Sequence, residues 1–166
     1  MASFPSQRPR SIEKAGAILS SWIVCLWGLG CSRVVSLPEV DLTDPQWTVW
    51  EGQALWKPRS DLPALAGDLI VARNGKEDVL ISFSKSPIPI FTAQKSGRFW
   101  RIDFVEQGKS YSGIGRPPKR FVWFRLPALL EGASAPKHWE VEEVAEDDWS
   151  MSNRRTGETI RVVLDR

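Results

Sequence analysis

The chain has 166 residues with 22 Lys and Arg against 20 Asp and Glu, and beyond residue 30 the two signs balance at nineteen each, so net basicity gives no case for nucleic acid. His138 is the only histidine and both cysteines, Cys25 and Cys31, lie at or before position 31. That inventory excludes histidine triads, histidine metal sites and a downstream thiolate nucleophile, and no enzyme, cofactor or metal is expected.

Arg8, Arg10 and Lys14 give a basic start, followed by sixteen uncharged residues from Ala15 to Gly30. This is the layout of a secretion signal. As a helix the uncharged run would measure roughly 24 Å, short of the ~30 Å hydrocarbon core of a bilayer, which favours a cleaved signal over an uncleaved anchor. The run ends in Trp27-Gly28-Leu29-Gly30-Cys31, and the small residue before the cysteine resembles a bacterial lipobox. Gly28 and Leu29 stand in the opposite order to that pattern. The resemblance implies that residues 1–30 are a lipoprotein signal, that Cys31 carries the lipid, and, from Ser32 after it, that the anchor sits in the outer membrane facing the periplasm.

Residues 31–46, with Pro38, Pro45 and scattered acids, read as a tether of up to ~50 Å. Residues 47–166 then make one domain. Period-two alternation predicts strands over Trp47–Trp56 and Asp68–Arg73. Asn74-Gly75 supplies a hairpin turn to a third strand with Val79, Ile81 and Phe83 on one face. Pro87 and Pro89 suit an edge or a crossover. Pairing resumes over Arg98–Val105, with Trp100, Ile102 and Phe104 on one face, and a short strand is expected through Tyr111.

Pro118 is placed to open a helix over Lys119–Leu130, with Phe121 and Phe124 on its inner side, Pro127 bending it and Gly132 ending it. The remainder predicts one hairpin, Trp139–Ser152 and Glu158–Leu164, about the turn Asn153–Gly157. The sum is an α+β domain: an antiparallel sheet of six or seven strands under one short covering helix.

Charge is segregated along this domain. Lys85–Arg125 holds nine basic residues against Asp103 and Glu106, whereas Glu140–Asp148 carries six acids and no base. Arg116, Lys119 and Arg120 are the candidate contacts for lipid headgroups or an acidic partner; a plain solvated surface gives the same pattern. Asp147 and Asp148 form the one carboxylate pair with a chemical reading, inside an acidic run that suits an exposed loop.

The order of elements, with Gly52-Gln53-Ala54-Leu55-Trp56-Lys57-Pro58-Arg59, the pair about Asn74-Gly75, Gly97-Arg98-Phe99-Trp100-Arg101-Ile102-Asp103 and Lys109-Ser110-Tyr111-Ser112-Gly113, is similar to the LolA/LolB-like lipoprotein carriers over residues 47–131. That resemblance implies an incompletely closed half-barrel whose concave apolar face receives the acyl chains of a lipid or lipoprotein. The candidate lining, read from the alternating rows, is Leu69, Val71, Val79, Ile81, Phe83, Trp100, Ile102 and Phe104, with Phe121 and Phe124 as lid. The same rows are an ordinary core if the helix packs tightly on them. Seven tryptophans fall in the domain and suit either use. The partners expected are the membrane, an acyl chain and another envelope protein.

Overall fold

A computed structural model describes residues 36–75 and 77–165. The signal or anchor segment and Cys31 lie outside the described residues. The domain is mostly β: nine antiparallel strands form one curved, unclosed sheet in the order β6-β5-β4-β3-β2-β1-β9-β8-β7. They are β1 Thr48–Lys57, β2 Leu65–Asn74, β3 Asp78–Lys85, β4 Ile88–Ser96, β5 Phe99–Phe104, β6 Lys109–Ile114, β7 Trp139–Ala145, β8 Asp148–Asn153 and β9 Thr159–Leu164. Every neighbour is a hairpin partner except at β1, which closes against β9 and so joins the two ends of the domain.

Two departures raise the strand count from the expected six or seven to nine. The Pro-rich stretch is not an edge or a crossover: Ser86-Pro87, a cis peptide, turns the chain, and β4 lies between β3 and β5 inside the sheet. Pro89 is tolerated there because the β3–β4 register shifts between Phe83 and Ser84, opposite it, so its missing N–H falls where the ladder is already irregular. The acidic run is likewise not one long strand. Glu146-Asp147 forms a turn, with Asp147 at a φ of 64°, and splits the segment into β7 and β8. The hairpin turn at Gly75, by contrast, stands where Asn74-Gly75 placed it, with Gly75 at a φ of 58°.

One face of the sheet is apolar across its centre. Ala54 and Trp56 of β1, Leu69 and Val71 of β2, Val79, Ile81 and Phe83 of β3, Phe91 and Ala93 of β4 and Trp100 and Ile102 of β5 are buried in a single core with Ile160, Val162, Met151 and Trp139 of the last three strands. Close approach of strands is set by Gly52: a Cβ there would stand 2.1 Å from the Val163 carbonyl oxygen, so a side chain at this point would force β9 away from β1.

The covering segment is shorter than the helix expected over Lys119–Leu130. It consists of a 3-10 turn, Val122–Arg125, and a single α-helical stretch, α1, Leu126–Leu130. Pro127 stands in the first turn of α1 and starts it rather than bending it, since an N–H there has no helical partner. Gly132 ends it as expected: at a φ of 83° it donates to the Leu129 carbonyl while Ala133 donates to that of Ala128, the two bonds of a Schellman cap.

The tether also differs from expectation. The Pro38 carbonyl accepts from Gln94 Nε2 of β4 at 2.7 Å, and Pro38, Asp41, Asp44 and Trp47 share a cleft with Asp78, Gln94 and Ser96. Residues from Pro38 onward therefore lie against the sheet.

Candidate functional site

Trp123 occupies the middle of the apolar face. Its ring centroid is 4.7 Å from Phe91, 5.7 Å from Trp56 and 6.0 Å from Phe83, and Val122, Leu126 and Leu129 bury around it. The segment Phe121–Leu130 thus acts as a plug set into the sheet by side chains. Its weak point is polar: Trp123 Nε1 is buried without a hydrogen-bond partner, a deficit worth about 1–3 kcal/mol.

Of the ten candidate lining residues, seven, Leu69, Val71, Val79, Ile81, Phe83, Trp100 and Ile102, share the expected face, and all seven are buried in the core around this plug. They do not line an open hollow, because Trp123 fills the space between them. Phe121 and Phe124 do not form its centre either. Both pack on Trp100, at 6.0 and 6.1 Å, over the β5–β6 side. The phase differs because the segment begins as a 3-10 turn, so a 3.6-residue spacing counted from Phe121 misses the inward residue.

The apolar face stays open at one end. A cleft of about 210 Å³ is bounded by Trp56, Pro58, Leu62, Leu65, Ile90 and Phe104, with Glu106 and Gln107 at its polar side. Phe104 is the one candidate lining residue that reaches it. Trp56 and Phe104 stack at 6.3 Å and, since Trp56 also touches Trp123, the cleft wall and the plug share one aromatic cluster. Sequence reasoning missed Trp56 as lining, although Gly52, Ala54 and Trp56 alternate in the same way as the rows it did use.

Behind this wall lies a group that the sequence reading passed over. Glu158, just ahead of β9, accepts from Trp56 Nε1 at 3.0 Å. Burial pushes its carboxyl up to about 7, with the Trp56 hydrogen bond pulling the other way. The signal was available: Glu158 is two residues before Ile160 and four before Val162, on the inward row of β9.

The charged candidates stand apart from the cleft. Arg116, Lys119 and Arg120 are exposed beside edge strand β6, with the Arg120 guanidinium 4.7 Å from the Phe121 ring centroid and 5.2 Å from that of Tyr111. The six acids fall on β7, the turn after it and the start of β8, so they and the Arg116, Lys119 and Arg120 trio lie at opposite edges of the sheet, while the rest of the basic run is spread over β3–β6 and the covering segment. Asp148 is taken up by Arg161, whose Nε and Nη2 donate to it at 3.0 and 2.6 Å, and these bonds lower its pKa. His138 sits in the loop before β7 at a φ of 72°, its carbonyl accepting from the Arg154 N–H. Among the described residues no cluster of His, Cys, Asp and Glu could hold a metal ion. No family model matches the chain and neither does any curated protein, so the reading of this site rests on its own geometry.

Proposed function

We propose that this is a membrane-anchored lipoprotein of the bacterial envelope whose half-barrel sheet takes an acyl chain of a lipid or lipoprotein, entering at the cleft between Trp56 and Phe104. One observation carries the reading: an apolar cleft open to solvent that runs into an aromatic plug held by side-chain packing alone at its centre. Burying a methylene is worth about 0.8 kcal/mol, so six methylenes in the cleft gain on the order of 5 kcal/mol, and displacing Trp123 would admit a longer chain. The anchor is the lipid on Cys31.

The purified full chain is expected to bind a fluorescent fatty acid, and Leu62→Asp, at the exposed rim of the cleft, to weaken that binding roughly tenfold with the fold intact. Absence of binding by the wild type would leave the second reading, a lipid-anchored interaction protein of the envelope, which is favoured by the burial of seven lining candidates beneath the plug. Metabolic labelling with a fatty-acid analogue tests the anchor separately: label is expected on the wild type and absent from Cys31→Ala.

A further inference from the structure

We infer that the corner of the sheet formed by the β4–β5 turn and the end of β6 is a docking surface for the anionic lipid surface of the membrane that holds the anchor, an inference that rests on the anchored reading above. Phe99 and Ile114 are direct cross-strand partners on the face opposite the core, and they are 43% and 62% exposed. The pair lies outside the core cluster and of its own packing offers only the cross-strand contact. Cations flank them. Arg98 occupies the turn before Phe99, its carbonyl accepting from the Gly115 N–H at 2.6 Å, and Arg116 follows directly. Both arginines are exposed, and neither belongs to an ion pair among the described residues.

This pairing of bare cations with exposed apolar side chains suits a membrane interface, where the side chains enter the headgroup boundary and the guanidinium groups meet phosphates. The path of the chain gives the second, independent argument. Ser96, the cross-strand partner of Phe99, lines a cleft together with Pro38, Asp41 and Asp44, so the first described residues of the chain meet the sheet one strand away from the patch. With at most about 25 Å of chain from Pro38 to Cys31, this corner is held close to the bilayer. Of the acids lining the adjoining cleft, Asp41 accepts from Thr43, Asp44 from the Gln46 N–H and Asp78 from the Gly97 N–H, while Glu39 is exposed. They temper the positive field and make the apolar pair a necessary part of the surface.

The test uses the full chain, purified from membranes and reconstituted into vesicles of phosphatidylcholine alone or with about 30% phosphatidylglycerol, with amide hydrogen exchange as readout. Exchange across Phe99–Ile114 is expected to slow about fivefold on the anionic vesicles relative to the neutral ones. Arg98→Glu with Arg116→Glu should abolish the difference while leaving the protein on both kinds of vesicle. Equal exchange on the two vesicles overturns the docking surface and leaves the arginines to a protein partner. Retention by anionic vesicles alone, with exchange slowed, upholds the docking surface and overturns the anchor; retention by neither overturns both.

Discussion

Replacing Trp123 with alanine is expected to destabilise the domain by about 3–5 kcal/mol, read as a shift in the urea midpoint of the full chain. The indole is the largest side chain in the centre of the core and touches Trp56, Phe83 and Phe91, which come from three different strands. The plug around it is one 3-10 turn and one short helix, too little regular structure to hold its place without that anchor. Trp123→Phe should cost far less, about 1–2 kcal/mol, because the lost ring atoms are offset by removal of the unpartnered indole N–H. The alanine variant also bears on function. If an acyl chain lies beneath the plug, emptying the space should tighten fatty-acid binding even as the free protein loses stability, and added ligand should restore part of the lost stability. Equal loss of stability and of binding would mean that the face is core only.

The contrast between rows and plug explains what was legible from sequence. Strand faces were readable because alternation is a property of one strand at a time: Val79, Ile81 and Phe83 turn inward whatever lies above them. Gly132 was readable as a stop for the same local reason. β4 was hidden because its prolines argue against a central strand, and only the bulge at Ile90, within β4 itself, makes Pro89 harmless there. Trp123 was hidden because the inward residue of the cover depends on where a 3-10 turn gives way to a helix. Whether a hollow stays open depends on packing between elements, and no spacing within one element carries that.

Glu158 sets the other large effect, on pH. In the unfolded chain a glutamate carboxyl titrates near 4.5, whereas in the folded protein burial raises it to about 7. The folded state therefore holds its proton more tightly, and between these two values it binds more protons than the unfolded state, so stability falls as pH rises. The contribution is full below about 4.5 and lost above about 7. At ~1.4 kcal/mol per pH unit, and with part of the group reached by solvent, the loss amounts to roughly 2–3 kcal/mol. A counter-slope acts at lower pH. Burial pushes the Asp103 carboxyl up, yet hydrogen bonds from Arg101 and Ser110 outweigh it and leave its pKa lowered, and Asp148 is lowered by Arg161. Their stabilisation is present above the ordinary aspartate range and fades as pH falls through their lowered values, so stability should peak near pH 4–5. Glu158→Gln separates the two slopes, since it keeps an oxygen to accept from Trp56 Nε1 and has no charge to desolvate. Urea unfolding of the variant should show no decline between pH 5 and 8 and a midpoint above the wild type at pH 8. A wild-type profile that is flat over that range would remove Glu158 as a buried acid.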